Sequence, residues 1–154
     1  MRFFLGLAIL SLFLGAWPKP SAAAPTGATL RTDINTARTT TKLHALKDSY
    51  TLRRAAIARA EDMARFGYFS HTSLGGLTYR SWLAAGPARF SKTGENIARG
   101  QQTSALVVNA WLASGGHRRN LYDASFTHVG TAVRKTTWNG RSVFLYVAVF
   151  GRTK

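Results

Sequence analysis

The first hydrophobic segment of the chain, residues 3–17, carries no charge and is apolar at nearly every position. Arg2 precedes it, and two prolines and the small residues 21–24 follow it. This order is typical of a secretory signal peptide. At 15 residues the run is shorter than the roughly 20 that a membrane-spanning helix needs. We therefore expect a signal peptide, residues 1–23, cleaved near Ala23, and a secreted or periplasmic protein. An uncleaved membrane anchor is the alternative.

After this segment the hydrophobic positions recur at the spacing of amphipathic helices. Residues 24–31 are interpreted as a linker, and a first helix is predicted from Asp33. The clearest helix follows, with Arg59 and Asp62 assigned to its exposed sides as an i,i+3 pair. Gly67 is expected to end it. The other predicted boundaries are a cap at Asp48 or Ser49, a short helix over Tyr79, Trp82 and Leu83, and a helix from about Thr103 to Gly115-Gly116.

Towards the C-terminus the pattern changes to that of strands. Residues 128–133 and 142–150 are rich in β-branched and aromatic side chains. Asn139-Gly140 lies between them and predicts a two-residue hairpin turn. The second segment is apolar nearly throughout, which predicts a central strand covered on both faces. Helices followed by a hairpin predict an α+β domain over residues 32–152, with a sheet between helical layers.

Composition narrows the class of protein. Without the signal peptide 131 of the 154 residues remain, the size of one domain. The chain has no Cys, which argues against a eukaryotic disulfide scaffold and favours a bacterial protein. The net charge falls from +15 to +13 once Arg2 and Lys19 are removed. Such a surface attracts anions, so we expect anionic envelope polymers or lipid headgroups as partners. Nucleic acid is not expected for an exported monomer, and a basic surface without a specific partner is the alternative.

Few residues are available for chemistry, because the chain has four His and six acidic residues. His44 is interpreted as solvated and His128, which opens a predicted strand, as structural. His71 and His117 each follow a predicted helix, and Glu95 is a lone acid among apolar neighbours. Two His and a carboxylate suit a first-row metal site or general acid/base catalysis. Polar residues that close loops over the core are the alternative, since spacing does not show that the three converge.

The same residues belong to an ordered series of short motifs. The series covers residues 34–151 and consists of Ile34-Asn35, Arg38, Ala60, Met63-Ala64, Phe69-Ser70-His71, Gly94-Glu95-Asn96-Ile97-Ala98, Ala110-Trp111-Leu112-Ala113-Ser114, Gly116-His117-Arg118, Asn120-Leu121, Phe126-Thr127, Val129-Gly130 and Phe150-Gly151. In this series the chain resembles the bacterial branch of the CAP superfamily, the SCP-like extracellular proteins, which include cysteine-rich secretory, antigen 5 and pathogenesis-related proteins. The resemblance implies a three-layer α-β-α sandwich with a small antiparallel sheet.

The resemblance also implies a cleft lined by two His and two acidic residues, in which the His pair is able to hold a divalent metal such as zinc. By motif, His71 and His117 match the two His and are the expected metal ligands, and Glu95 matches the first acid. Ser114 lies where eukaryotic members carry the second acid. A hydroxyl does not act as a carboxylate base at neutral pH. Ser114 also lacks a nucleophile-elbow motif, which argues against a serine hydrolase.

We therefore expect an exported module rather than a conventional enzyme. Its cleft of His71, Glu95, Ser114 and His117 is predicted to bind zinc, another divalent metal, or a small ligand. The first alternative is a hydrolase that uses the same cleft, with a metal-bound water activated by Glu95. The second is a lipid or sterol carrier, a role of some eukaryotic relatives to which no feature of this sequence specifically points.

Overall fold

The computed structural model describes residues 23–84, 86 and 89–154. The predicted signal peptide, apart from Ala23, lies outside these residues. Within them, no helix has the length and apolar character that crossing a membrane requires. The elements follow one another as α1 (Gly27–Thr40), β1 (Lys47–Asp48), α2 (Tyr50–Phe66), α3 (Tyr79–Ala84), β2 (Phe90–Arg99), α4 (Ser104–Ala113), α5 (Gly115–Leu121), β3 (His128–Trp138) and β4 (Arg141–Thr153).

The strands form one sheet in the order β1-β3-β4-β2. β3 and β4 are the predicted hairpin, and Asn139 and Gly140 turn it with φ angles of 47° and 75°, the positive values of a type I′ turn. β2 pairs antiparallel with the other side of β4, and the sequence analysis did not predict this strand. β1 pairs in parallel with β3. The α+β prediction is confirmed, with a sheet that is mixed because of this two-residue parallel pair.

Strand β4 lies at the centre of two cores, one on each face of the sheet. One core joins the sheet to α1, α4 and α5, and the other joins it to α2 and α3. The predicted central strand, covered on both faces, is thereby confirmed. The alternating residues of β4, all 0% exposed, divide between the cores as Tyr146, Ala148 and Phe150 on the first face and Leu145, Val147 and Val149 on the second.

Helix α1 begins at Gly27, six residues before the predicted start at Asp33. Residues 27–31, assigned to a linker, are therefore helical. The reason is a capping box built from two threonines. Thr26 Oγ1 accepts from the Thr29 N–H at 3.1 Å, and Thr29 Oγ1 accepts from the Thr26 N–H at 2.9 Å. The usual capping box has Glu or Gln at the second position, so this pair gives a weaker sequence signal.

The ends of α2 are those predicted, whereas the region after α4 differs. Ser49 caps α2, and Gly67 ends it in the left-handed conformation at φ 65°. The sequence analysis expected Gly115-Gly116 only to end α4. Instead Gly115 begins a further helix, α5, in which the Arg118 N–H donates to Ser114 O at 2.8 Å. Ser114 thus follows one helix and precedes the next.

Helix α2 lies close against strand β3 where Gly130 faces its first turn. A Cβ at Gly130 would lie 2.1 Å from the Leu52 carbonyl carbon and 2.0 Å from the Arg53 nitrogen. Real side chains do not approach backbone atoms this closely, so the position requires glycine. This contact fixes the height of α2 over the sheet, and α2 carries the central residue of the site.

Candidate functional site

The site is organised around a buried ion pair between α2 and β2. Arg59 Nε donates to Glu95 Oε1 at 3.0 Å, and the two side chains are 0% and 1% exposed. The prediction that Arg59 lies on the exposed side of α2 was wrong. Arg59 lies four residues after Ala55 and four before Met63, both buried, so the helical period places it on the inward face. The prediction of an exposed side chain had rested on the charge of Arg59.

The other nitrogens of Arg59 also have partners. Nη1 donates to Tyr68 Oη at 2.7 Å and Nη2 to the Ser70 carbonyl oxygen at 2.5 Å. Tyr68 Oη in turn donates to Asp62, and the guanidinium lies 5.2 Å from the centroid of the Trp82 ring. Burial, followed by the hydrogen bond to Asp62, raises the pKa of Tyr68 to about 12. A buried cation that has a hydrogen-bond partner at each of its three nitrogens is tolerated at much lower cost than an unpaired one.

Glu95 connects this buried pair to an exposed imidazole. Its second oxygen, Oε2, lies 2.7 Å from His71 Nδ1. An ionised carboxylate only accepts hydrogen bonds, so Nδ1 carries the proton. The neutral ring then has its lone pair on Nε2, and the His71 side chain is 55% exposed. A carboxylate in this position fixes both the tautomer and the orientation of a ligating or basic histidine.

His117 reaches the same region from the opposite helical layer, at the start of α5. Its ring centroid lies 6.2 Å from that of His71 and 6.3 Å from that of Trp111. Burial, and then the neighbouring His71, lower the pKa of His117 from the ordinary value of 6.5. At neutral pH His117 is therefore a neutral imidazole, the form that binds metals and accepts hydrogen bonds.

Two asparagines hold α5 against β2. Asn96, which is 0% exposed, donates from Nδ2 to the His117 carbonyl oxygen at 3.0 Å. Asn120 donates from Nδ2 to Asn96 Oδ1 at 2.9 Å and to the Glu95 carbonyl oxygen at 3.2 Å. A Cβ at Gly94 would lie 2.8 Å from Asn120 Oδ1, so glycine permits this approach. Both asparagines lie in the motifs of the sequence, but their role depends on strand β2, which the sequence pattern did not predict.

Three of the four predicted cleft residues come together, and none of the hydrogen bonds among the described residues joins Ser114 to them. Ser114 lies between α4 and α5, and in the described part of the chain its side chain makes no capping hydrogen bond to α5. Its backbone N–H donates to the Trp111 carbonyl oxygen at 3.2 Å. Among residues 23–84, 86 and 89–154, no three His, Asp or Glu side chains are grouped to hold one metal ion. His71 and His117 are the two imidazoles that the structure brings near each other there.

An open pocket of about 410 Å³ lies beside His71. One wall is the segment between α2 and α3, which includes His71 itself and in which Thr72 and Thr78 form an antiparallel backbone bridge. The residues that line it are His71, Thr72, Thr78, Tyr79, Arg80 and Glu95. The pocket therefore extends from His71 towards the start of α3.

The profile of the cysteine-rich secretory protein family, CAP, matches residues 32–150. The chain belongs to this family. The domain is similar to YkwD, an uncharacterized protein of Bacillus subtilis, with 40% identity over 91 residues. It is also 37% identical over 78 residues to YlbC, an uncharacterized membrane protein of the same bacterium. These matches cover 57% and 51% of this chain but 34% and 22% of the relatives, so the chain spans at most about a third of their length.

Solved structures agree with the CAP assignment. An extracellular SCP-domain protein of Bacillus anthracis superposes with a TM-score of 0.69 at 27% identity, over 83% of this chain and 41% of that one. An outer surface protein of Borrelia burgdorferi superposes with a TM-score of 0.70 at 26% identity, over 81% and 90% of the two chains. Both are bacterial proteins, in agreement with the branch of the family that the sequence indicated.

Other motif residues of this CAP domain also have structural roles. Trp111 donates from Nε1 to the Ile97 carbonyl oxygen of β2 at 3.0 Å. Arg38, 0% exposed, donates from Nη1 to the carbonyl oxygens of Leu121 and Asp123 at 2.7 and 3.0 Å. Arg38 thus binds α1 to the end of α5. The motifs therefore include residues that hold the elements around the site in place as well as the residues of the site itself.

Proposed function

We propose that this CAP domain binds a small ligand or a divalent metal ion in the cleft between His71 and His117. The supporting observation is the buried Arg59–Glu95 pair that ends on His71 Nδ1 at 2.7 Å. Each buried ion costs several kcal/mol in desolvation, and apolar residues of the same volume are often at least as stabilising. A function for His71, which the pair orients, accounts for this expense.

The donor atoms suit a divalent metal. Neutral imidazoles bind zinc and other first-row ions, and Glu95 is the carboxylate that commonly supports a ligating histidine. Because each metal–nitrogen bond is about 2 Å long, ring centroids 6.2 Å apart are near the upper limit for a shared ion. His71 and His117 would hold it, with ligand or solvent oxygens completing the coordination. The ion would supply positive charge that polarises a bound ligand.

The geometry does not favour the hydrolase in which Glu95 activates water. The Glu95 side chain is 1% exposed, and its two oxygens contact Arg59 and His71. A general base must reach the proton that it removes, and this carboxylate is enclosed by protein. Glu95 therefore acts through His71 as a positioning residue.

We propose that the domain acts at the cell envelope or outside the cell. The related proteins of B. anthracis and B. burgdorferi are described as extracellular and as an outer surface protein, and residues 1–23 have the pattern of a signal peptide. The net charge, +15 for the whole chain and +13 once Arg2 and Lys19 are removed with the signal peptide, favours contact with anionic envelope polymers or lipid headgroups. Vesicle retention that falls steeply as salt is added would support this contact. Retention that salt does not change would contradict it.

Zinc retention by the purified protein tests the metal site. After dialysis against zinc and then buffer, the wild-type protein is expected to retain up to one ion per chain, measured by elemental analysis. His71→Ala and His117→Ala should each lose it, because each removes one of two protein ligands. His44→Ala is the matched control, since His44 Nε2 contacts the Phe126 carbonyl oxygen at 2.7 Å, away from the cleft. Zinc retained equally by the cleft variants would refute the site.

A further inference from the structure

The pocket beside His71 has a cation, Arg80, in its wall. Arg80 Nε donates to Tyr79 Oη at 3.3 Å, and Tyr79 Oη contacts Thr93 Oγ1 at 3.1 Å. The Arg80 guanidinium also lies 5.8 Å from the centroid of the Tyr79 ring. In the described part of the chain, Arg80 forms no ion pair with an acidic residue. Its two terminal nitrogens thus remain available on an exposed side chain that contacts Tyr79.

The acidic residue of the pocket wall does not cancel this charge. Glu95 is 1% exposed, and its oxygens lie 3.0 Å from Arg59 Nε and 2.7 Å from His71 Nδ1. Its negative charge is compensated on the buried side by Arg59. The exposed charge of the pocket is therefore the positive charge of Arg80.

The rest of the pocket wall consists of hydrogen-bonding groups on a fixed loop. Thr72 and Thr78, which each carry a hydroxyl, line the pocket, and their backbone bridge holds the two sides of the loop together. The Ser73 N–H donates to the Leu77 carbonyl oxygen at 2.7 Å inside the same loop. A site with donors held in place before binding loses less free energy in ordering them.

We propose that the ligand of this cleft carries a phosphate group, and that Arg80 selects it. The inference rests on the proposed function of the cleft and adds the chemical class of the ligand. A guanidinium presents parallel N–H donors that match two oxygens of a phosphate. The hydroxyls of Thr72 and Thr78 supply donors to the remaining oxygens. A pocket of about 410 Å³ is within the usual range for small-molecule sites.

Titration with inorganic phosphate tests the role of Arg80. Chelator-treated protein is titrated at low salt, and amide NMR shifts report both affinity and location. Arg80→Gln is expected to weaken binding at least about tenfold, and shifts in the wild-type protein should centre on His71, Thr72 and Thr78. Arg54→Gln is the matched control, because Arg54 is exposed on α2 and its substitution removes the same charge as Arg80→Gln. Equal loss in the two variants would overturn the proposal, since general charge would then explain binding.

Two further measurements separate this inference from the metal site and from the source of the phosphate. Arg80→Gln should retain zinc as the wild-type protein does. If His71→Ala loses zinc but Arg80→Gln binds phosphate as the wild-type protein does, only the phosphate inference is refuted. If phosphate binding depends on Arg80 but the wild-type protein retains no zinc, only the proposed metal site is refuted. If binding of glycerol 3-phosphate depends on Arg80, the ligand is a free phosphate ester. If binding to phosphatidylglycerol vesicles depends on Arg80, the ligand is a lipid headgroup. Independence in both arms refutes the phosphate inference.

Discussion

Replacing Arg59 by methionine removes the buried cation while retaining most of the side-chain volume. Glu95 then remains 1% exposed without its charged partner, and Tyr68 Oη and the Ser70 carbonyl oxygen each lose a donor. Breaking a buried ion pair from one side costs about 3–5 kcal/mol. We expect Arg59→Met to lower the free energy of unfolding by about 4 kcal/mol, a large share of the roughly 5–15 kcal/mol that holds a domain folded.

Urea unfolding followed by tryptophan fluorescence measures this loss. With a slope of about 1–3 kcal/mol per molar urea, the midpoint of Arg59→Met should fall by more than about 1 M. The control is Arg54→Met on the exposed side of the same helix. Such a surface change is expected to alter the free energy of unfolding by no more than about 0.5 kcal/mol.

A double variant identifies the source of the loss. Glu95→Gln removes the charge that Arg59→Met leaves unpaired, so the double variant should be more stable than Arg59→Met alone. If the double variant is no more stable, the uncompensated carboxylate is not the cause. A cost of Arg59→Met as small as that of Arg54→Met would refute the reasoning entirely, because it would show that the pair is not buried in solution.

Three other predictions follow from the packing and from the shifted pKa values. Gly130→Ala should lower the free energy of unfolding in urea by at least about 3 kcal/mol, because the added Cβ meets the backbone of α2. Gly115→Ala is the control: a Cβ at Gly115 meets open space, so the free energy of unfolding should hardly change. NMR titration should give His117 a midpoint below pH 6.5. The contribution of His117 to stability is complete above pH 6.5 and is lost as the pH falls through its lower pKa in the folded state. His117→Gln should lack this pH dependence. Absorbance titration should show Tyr68 and Tyr146 ionising near pH 12, and Tyr68→Phe should remove one of these late steps. An ordinary midpoint for His117 or Tyr68 would contradict its burial.

The parts of the fold that the sequence predicted are those with strong local signals. Helix α2 has a cap and a left-handed glycine at its two ends, and Asn139-Gly140 marks the hairpin. Strand β2 gave no such signal, because its sequence mixes polar and apolar residues and pairs with β4, some 50 residues further along the chain. Helix α5 was missed because two glycines open it, and glycine is a poor helix former.

The candidate site divides in the same way. His71, Glu95 and His117 could be singled out because the chain has few titratable residues and the motif resemblance points to the same three. Arg59 was missed, since a charged residue on an amphipathic helix is usually solvated. Its hydrophobic neighbours at i−4 and i+4 placed it inward, and the helical period alone could have found it. The partner that makes this burial tolerable, Glu95, lies on a strand that the sequence did not reveal.

Strand β2 ends the sheet, and an open sheet edge is a template on which another chain can add a strand and aggregate. Here two side chains occupy the edge. Asn120 and Trp111 donate to the carbonyl oxygens of Glu95 and Ile97, taking acceptors that a foreign strand would need. The helices that bring His117 to the cleft therefore also protect the domain against self-association. Variants that weaken this helical layer should lose solubility as well as ligand binding.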